Sequence, residues 1–201
     1  MKIVFLGPYR EEFIDFLMSF QDEVETTEEP LAGDSRLLLG ADFIISYGYR
    51  HILKRDVLDK FPNRVINLHI SLLPWNKGAD PNLWSFLEDT PKGVTIHYVD
   101  RGVDTGDMLA QQQVDYLAED TLRTSYDRLS KAIEDLFKRV WPDIRAGGLK
   151  SLPQPGGGTY HRLNDRAVFN YLLEEGWNTS VEGLVGKALM NKGDAGEPSR
   201  N

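Results

Sequence analysis

The sequence contains no cysteine, and this absence excludes disulfide bonds and cysteine-ligated zinc sites. Basic residues are scarce relative to acidic ones, with 23 lysines and arginines against 31 aspartates and glutamates and a formal net charge of −8. Because nucleic-acid binding depends on clustered positive charge, this balance argues against a nucleic-acid partner. The histidines are His51, His69, His97 and His161, and they lack the spacing of metal ligands. We therefore predict no metal site, while histidines distant in sequence remain free to meet in space.

The sequence also lacks an apolar run long enough to cross a bilayer. Its first apolar segment, residues 1–7, is short and is followed closely by Arg10, Glu11 and Glu12, which is not typical of a signal peptide. These features predict a cytoplasmic protein without a membrane partner. With 201 residues, of which 41% are hydrophobic, the chain can bury one well-formed core.

Short apolar segments alternate with segments of helical periodicity in the first part of the chain. The apolar segments are residues 2–6, 42–47 and 64–70, and the helical segments are residues 9–20 and 54–61. This alternation is typical of α/β proteins with a parallel sheet. Two further strands, residues 93–100 and 107–116, flank a glycine-containing loop and are predicted to form a hairpin-like pair. The predicted fold is a Rossmann-like, mostly parallel sheet flanked by helices.

The second half of the chain begins with one long amphipathic helix. Apolar residues recur at helical spacing from Leu122 to Ile144, Asp120 or Thr121 can cap the start, and Gly147 marks the end. The stripe of apolar side chains on this helix predicts core packing.

The composition along the chain suggests three parts. Residues 1–150 form the predicted main domain, residues 151–190 a C-terminal loop and small appendage, and residues 191–201 a tail predicted to be disordered. The loop is rich in proline and glycine, and its residues 154–160 are able to fold back over the mouth of a site. The acidic segment at residues 23–29 is interpreted as a solvated face.

Two polar side chains interrupt the apolar strand predicted at residues 64–70. Asn67 and His69 are two residues apart and therefore project from the same face. Acyl transfer to an amine needs such groups, because negative charge develops on a carbonyl oxygen while the amine nitrogen must lose a proton. Asp104, in the loop between two later strands, supplies a carboxylate that can orient the imidazole. Taken singly, each residue also fits a structural role as a core histidine, a turn asparagine or an Asx-turn aspartate.

The motifs around these residues resemble those of the folate-dependent formyltransferases. The shared motifs are Asn67-Leu68-His69, Ser71-Leu72-Leu73-Pro74, Lys77-Gly78, Gly93-Val94-Thr95-Ile96-His97 and Asp104-Thr105-Gly106. The resemblance extends over residues 42–116. The superfamily includes glycinamide ribonucleotide formyltransferase, methionyl-tRNA formyltransferase and the sugar N-formyltransferases.

The resemblance implies that Asn67, His69 and Asp104 are catalytic and that N10-formyltetrahydrofolate is the one-carbon co-substrate. Asn67 and His69 would hold the oxyanion of a tetrahedral intermediate, and Asp104 would help to remove the amine proton. The resemblance also implies a pterin pocket between two loops. Its residues are Tyr49, His51, Ile52, Leu53, Asp100 and Val103.

The departures from family patterns bear on the acceptor. The tRNA enzymes carry a further basic domain, for which this chain is too short and too acidic. The purine-pathway enzymes grip a phosphate with a glycine-rich loop after the first strand, whereas this chain has Gly7-Pro8-Tyr9-Arg10 there, with no N–H at Pro8. We therefore favour a sugar N-formyltransferase acting on a nucleotide-linked amino-deoxy sugar of surface glycans. The candidate substrate-binding residues are Tyr9, Arg10, Trp75, Lys77 and Gly78, with Trp84 as a further stacking candidate.

Several alternatives remain at this point. Glycinamide ribonucleotide is the alternative acceptor, and a non-catalytic folate- or nucleotide-sensing module is a second alternative. Trp75 and Trp84 fit packing beneath the loop at Pro74 as well as stacking on a ligand, and Lys77 fits a solvent-exposed position. A homodimer through residues 107–116 or 162–190 is also open.

Overall fold

The computed structural model describes residues 1–193 and contains a central six-stranded sheet with a small second sheet beside it. The strands are β1 (Lys2–Leu6), β2 (Glu23–Thr27), β3 (Phe43–Tyr47), β4 (Val65–His69), β5 (Lys77–Gly78), β6 (Gly93–Tyr98), β7 (Met108–Gln113) and β8 (Tyr160–His161). The central sheet has the order β2-β1-β3-β4-β6-β7, and β5 pairs with β8. The strands from β2 to β4 are parallel, whereas β6 runs antiparallel to both of its neighbours. The predicted mostly parallel α/β sheet and the hairpin-like pair are confirmed.

Five α-helices and three 3-10 segments surround the sheets in the described part of the chain. The helices are α1 (Glu11–Met18), α2 (Arg55–Leu58), α3 (Pro81–Leu87), α4 (Leu122–Arg145) and α5 (Lys187–Gly193). The 3-10 segments are Arg36–Leu38, Leu163–Leu172 and Gly176–Asn178. No helix among these residues is both long enough and apolar enough to cross a membrane.

The central strands are apolar throughout because the sheet is covered on both faces. Side chains of α1 and α4 pack on one face, where Phe13 stacks on Phe137 with ring centres 4.7 Å apart. Val57 of α2 and Phe61 pack on the other face. Burial on both faces explains why β1 and β3 read as continuous hydrophobic runs rather than as alternating patterns.

The acidic segment after α1 contains an edge strand that the sequence did not indicate. β2 pairs in parallel with β1, with Lys2 opposite Glu23 and Leu6 opposite Thr27. Its side chains are exposed or half-buried, so it carries no apolar alternation for a sequence pattern to detect. The interpretation of residues 23–29 as merely a solvated face was therefore incomplete, because backbone pairing rather than side-chain burial forms this strand.

The long helix α4 begins where the sequence predicted. The Thr121 hydroxyl accepts a hydrogen bond from the Thr124 N–H, and the Thr124 hydroxyl accepts one from the Thr121 N–H, so Thr121 is the N-cap. Asp120 instead accepts hydrogen bonds from Arg128. The apolar stripe of α4 packs on the sheet from Leu129 onward, whereas Leu122 joins a cluster with α3 and Tyr126 is only half-buried and faces a cavity described below.

The C-terminal segment packs against α3. Phe169, Val181, Leu184 and Ala188 share one buried cluster with residues of α3 and with Leu122. Phe169 of this cluster belongs to the 3-10 segment Leu163–Leu172. Residues 191–193 belong to α5, and the rest of the predicted disordered tail, residues 194–201, lies outside the described residues.

Candidate active site

A row of polar side chains crosses the sheet near the end of β4. Ser46 of β3 lies beside Asn67, and Asn67 lies opposite His97 of β6. His69 is in register with Thr95, which also belongs to β6. Ligands of α/β sheets commonly bind beyond the carboxyl ends of parallel strands. The structure thus brings Asn67 and His69 to one face at the point where the sheet changes from parallel to antiparallel.

Asp104 reaches this face from the loop between β6 and β7. Its φ angle is 52°, a left-handed conformation that aspartate tolerates better than most residues. Its Oδ1 accepts a hydrogen bond from Asn67 Nδ2 at 3.3 Å and lies 3.4 Å from His97 Nε2. Its Oδ2 accepts one from the Gly78 N–H at 2.8 Å and lies 3.7 Å from His69 Nδ1. Groups from three other segments therefore converge on one carboxylate.

The Asp104 carboxylate remains ionised in this setting. Burial alone would raise the pKa of its carboxyl, but the charge of His69, the hydrogen bond and charge of His97, and the Gly78 N–H hold that pKa well below its usual range. A carboxylate with such low proton affinity is a poor final acceptor of an amine proton at neutral pH. Its position suits it instead to orient an imidazole and to stabilise an imidazolium.

His69 is held in one tautomer. Its Nε2 lies 3.2 Å from the backbone carbonyl oxygen of Asn76, which can only accept, so Nε2 carries the proton. In the neutral ring, Nδ1 then presents a lone pair on the side of Asp104. Burial lowers the pKa of His69, while the charge of Asp104 raises it in part and that of His97 lowers it further. Neutral His69 therefore offers Nδ1 as a proton acceptor with a carboxylate placed to stabilise the product.

Buried polar groups in the loop after β4 fix the position of that carbonyl. Asn76 is fully buried, and its N–H donates to the Thr159 hydroxyl at 2.9 Å. Its side-chain oxygen accepts a hydrogen bond from the Thr90 hydroxyl at 2.7 Å. Because the Asn76 carbonyl orients His69, these bonds determine where the imidazole points.

His97 is a site residue that sequence reasoning did not single out. Its Nδ1 donates to the Tyr98 carbonyl at 2.7 Å, which turns Nε2 toward Asn67 and Asp104. The ring is 1% exposed. A signal was available, since Thr95 and His97 alternate on an apolar strand just as Asn67 and His69 do.

Two histidines and one carboxylate thus meet in space despite their separation in sequence. One ring nitrogen of His69 and one of His97 bond to backbone carbonyls. Within residues 1–193, no group of three or more histidine, cysteine, aspartate or glutamate side chains is arranged to hold a metal ion. The geometry of this cluster is that of a hydrogen-bonded proton-transfer site.

These side chains open into a cavity of about 1160 Å³. One wall consists of the loop after β3 and the loop between β6 and β7. All six predicted cofactor-binding residues lie along it: Tyr49, His51, Ile52, Leu53, Asp100 and Val103. A second wall is defined here by further lining residues, which come from the start of α3, the start of α4 and residues 160–177. The cavity is therefore large enough for two substrates, and the catalytic candidates Asn67, His69 and Asp104 are among its lining residues.

The predicted substrate-binding residues do not form one group. Arg10 and Gly78 line the cavity, whereas Tyr9, Trp75 and Lys77 are not among the residues lining it. The Arg10 guanidinium lies 4.0 Å from the centre of the Tyr47 ring, and its Nη1 lies 3.4 Å from Glu134 Oε1. The charge of Arg10 is thus already engaged by protein groups.

Trp84 packs in the interior, which agrees with a packing role, one of the two alternatives that the sequence left open for this residue. Its side chain is 4% exposed and stacks on His161, with ring centres 3.6 Å apart and planes 4° apart. It also contacts Phe169 edge-on. The aromatic character of Trp84 therefore stabilises the contact between α3 and the C-terminal segment.

The proline- and glycine-rich loop at residues 151–159 folds back onto the site. Gln154 Nε2 donates to the carbonyls of Asp104 and Gly106 at 2.8 and 2.9 Å. Further along, Lys77 and Gly78 of β5 pair with β8. The C-terminal segment thus supports both the Asp104 loop and the Gly78 amide that binds Asp104.

Comparison with known proteins identifies the family. The formyl transferase family model matches residues 19–141, more than half of the chain, and the chain belongs to this family. It is 34% identical over 136 residues to the methionyl-tRNA formyltransferase of Listeria monocytogenes, and this match covers 67% of the chain and 43% of that enzyme. The chain therefore spans less than half the length of this relative.

Similar solved structures include the formyltransferase PseJ from Anoxybacillus kamchatkensis, in complex with UDP-4,6-dideoxy-4-formamido-L-AltNAc and tetrahydrofolate. The two chains are 56% identical with a TM-score of 0.92, and the match covers 94% of this chain and 100% of PseJ. A sugar N-formyltransferase from Shewanella sp FDAARGOS_354 is 20% identical with a TM-score of 0.73, covering 86% of this chain and 80% of that chain. The second likeness shows a shared fold.

Proposed function

We propose that this formyl transferase family member moves a formyl group from N10-formyltetrahydrofolate to the amine of a nucleotide-linked amino-deoxy sugar. The observation that carries the proposal is the convergence of Asn67, His69 and Asp104 among the residues lining a two-walled cavity. The likeness to PseJ supports it, because the molecules bound there are a formamido sugar nucleotide and tetrahydrofolate. These are the two kinds of product that the proposed transfer yields.

The wall formed by the loops after β3 and β6 suits the folate. Ile52 is 76% exposed and lines the cavity, so it offers an apolar surface to a flat heterocycle. The backbone around Tyr49 and His51 also lines the cavity and supplies polar groups for a pterin edge. When bound there, the donor supplies an activated formyl carbon.

The catalytic candidates that line the cavity suit the transfer step. As the acceptor amine attacks the formyl carbon, Asn67 Nδ2 donates to the developing oxyanion. His69 Nδ1 takes a proton from the amine nitrogen, and Asp104 stabilises the resulting imidazolium. The bond from the formyl carbon to N10 then breaks, and the imidazolium returns the proton to N10. This assignment gives Asp104 an electrostatic role, in place of the direct removal of the amine proton that the family resemblance implied.

The structure offers little support for the two alternatives, glycinamide ribonucleotide as the acceptor and a non-catalytic sensing module. The loop after β1 directs Arg10 to Tyr47 and Glu134, and Pro8 has no N–H to donate, so the phosphate contacts expected for glycinamide ribonucleotide are lacking in this loop. A non-catalytic sensing module would not require the tautomer of His69 and the ionisation of Asp104 to be controlled together.

A homodimer is the state we propose in solution. Val168 and Tyr171 are 66% and 62% exposed, and pairing through residues 162–190 would cover them. Sedimentation at several concentrations tests this, and a monomer at all concentrations would refute it. The cytoplasmic location and the three-part domain division remain predictions.

A transfer assay tests the proposed function. Enzyme and N10-formyltetrahydrofolate are incubated with a panel of nucleotide-linked 3-amino and 4-amino sugars and with glycinamide ribonucleotide, while tetrahydrofolate release and product mass are followed. We expect one sugar nucleotide to gain one formyl group. Formylation of glycinamide ribonucleotide alone would contradict the proposal, as would the absence of transfer to every amine in the panel.

A further inference from the structure

The wall of the cavity formed by residues 160–177 takes no part in the transfer step described above. We propose that this wall binds the nucleoside diphosphate of the acceptor, with Trp177 stacked on the base and with Arg162 and Arg166 on the diphosphate. This inference rests on the proposed function. It places the main substrate contacts in the C-terminal segment rather than at Tyr9, Trp75 and Lys77.

The two walls of the cavity belong to different parts of the core. Tyr49 and Leu53, which line the proposed folate wall, share a cluster with strands β1 and β3 and with Val99. Leu83 and Leu122, which line the second wall, belong to the cluster of α3 and the C-terminal segment. A folate on the first wall therefore leaves the second wall to the acceptor.

Backbone pairing connects the second wall to the catalytic carboxylate. Gly78 binds Asp104 through its N–H and pairs in register with His161. Two residues beyond Gly78, Asp80 Oδ2 accepts a hydrogen bond from Arg166 Nη1 at 3.0 Å. An acceptor anchored at Arg166 is thus held by the same segment that positions the Asp104 carboxylate.

Trp177 has the features of a fixed stacking platform. Its side chain is 51% exposed and lines the cavity. The Tyr126 ring lies nearly perpendicular to it, with ring centres 5.4 Å apart, so this contact occupies at most one face of the Trp177 ring. The Leu122 N–H donates to the Thr179 carbonyl at 3.0 Å and ties the following residues to the start of α4. An exposed aromatic ring that is held in place can stack on a base without a large ordering cost.

The side chains of this wall that line the cavity differ in charge balance from the chain as a whole. The protein has a formal net charge of −8, yet Arg162 and Arg166 are both exposed on the wall. Asp80 is the only acidic residue among those lining this wall. Arginine binds phosphate oxygens with two parallel hydrogen bonds, and the hydrogen bond from Arg166 to Asp80 uses Nη1 and only one of the five N–H groups of the guanidinium. Among the lining side chains of this wall the two arginines thus outnumber the one carboxylate, because the three acidic residues within residues 160–177 do not line the cavity.

Binding of UDP, uridine and inorganic pyrophosphate, measured by calorimetry on the full chain, tests the assignment. We expect Trp177→Ala to weaken the binding of both UDP and uridine by roughly tenfold to a hundredfold, with partial recovery of the affinity in Trp177→Phe. We expect Arg162→Ala and Arg166→Ala to weaken the binding of UDP and of pyrophosphate by about tenfold while leaving the affinity for uridine unchanged. The affinity for tetrahydrofolate should stay within about twofold of that of the unmodified chain in all four variants. This result would also show that the variants are folded.

Two matched controls lie outside the cavity lining. Tyr116→Ala removes an exposed aromatic ring, and Arg139→Ala removes an exposed arginine of α4. Both should bind UDP as the unmodified chain does. The inference is overturned if Trp177→Ala and the arginine variants also bind UDP within twofold of the unmodified chain, or if that chain binds no UDP.

The outcomes separate this inference from the proposed function. UDP binding that depends on Trp177 and Arg166, without formyl transfer to any sugar amine, would support the subsite and refute the function. Formylation of a sugar nucleotide with an unchanged KM in Trp177→Ala would support the function and refute the subsite. If both hold, the variants should raise KM for the sugar nucleotide with little change in kcat.

Discussion

Replacement of Asp104 by asparagine isolates the charge of the carboxylate from its shape. Asp104 Oδ2 lies 3.7 Å from His69 Nδ1, and the aspartate side chain is 13% exposed. At this separation, with an effective dielectric constant of about 20, a carboxylate and an imidazolium attract by about 4 kcal/mol. If the imidazolium forms in the transition state, loss of that attraction corresponds to roughly a thousandfold decrease in kcat. Folate affinity should change by less than about threefold, because the substitution keeps the shape of the side chain and leaves Asp100 and Val103, the pterin candidates of the same loop, unchanged.

The assay measures tetrahydrofolate release at saturating substrates between pH 5 and pH 9, with folate binding measured separately. The charge of Asp104 raises the pKa of His69, so its removal should lower that pKa and move the acidic limb of the rate profile to lower pH. Asp107→Asn is the control, since it is an exposed carboxylate of the same loop. An unchanged kcat in Asp104→Asn, or an acidic limb that moves to higher pH, would refute the electrostatic role.

Three further changes have defined outcomes. Asn67→Ala should reduce kcat about a hundredfold to a thousandfold, with KM for both substrates nearly unchanged; a selective rise in KM would instead indicate a binding role. Gly7→Ala should destabilise the fold by about 2 kcal/mol or more in urea denaturation, because φ is 131° and a Cβ would lie 2.0 Å from the Tyr47 carbonyl oxygen. Gly156→Ala, where a Cβ meets nothing within 4 Å, is its control, and equal stabilities would contradict the argument. Burial lowers the pKa of His69 in the folded chain, so the unfolded chain binds a proton first as the pH falls. The free energy of unfolding is therefore not reduced by this histidine above about pH 6.5. Below that pH it declines, at most by about 1.4 kcal/mol per pH unit. His69→Asn should therefore reduce the loss of stability between pH 7.5 and pH 5.5, and an equal loss would exclude His69 as its source.

The elements that the sequence predicted well are those in which local pattern and tertiary packing agree. Strands β1 and β3 are apolar because both faces of the sheet are covered, and α4 combines a buried stripe with a threonine cap. β2 escaped prediction because its stability comes from backbone pairing with β1 while its side chains remain partly exposed. Hydrophobic periodicity cannot detect a strand of this kind.

Within the site, alternation along β4 predicted that Asn67 and His69 share a face, but the contacts that fix their chemistry depend on long-range packing. The tautomer of His69 is set by the Asn76 carbonyl, and Asn76 is held by Thr159, 83 residues away in sequence. No local pattern reports such a bond. The same limit applies to His97, whose role depends on the antiparallel register of β6 with β4.

The assignment of substrate contacts shows most clearly what composition alone could not decide. Trp84 and Trp177 are both tryptophans near the predicted site, yet Trp84 is 4% exposed and Trp177 is 51% exposed. Trp84 is buried because the C-terminal segment returns across α3 and places His161 flat against it. That return also carries Trp177 and Arg166 to the cavity. One chain reversal therefore removes an apparent stacking residue from the site and supplies a different one, so the C-terminal segment is expected to determine which acceptor the catalytic residues serve.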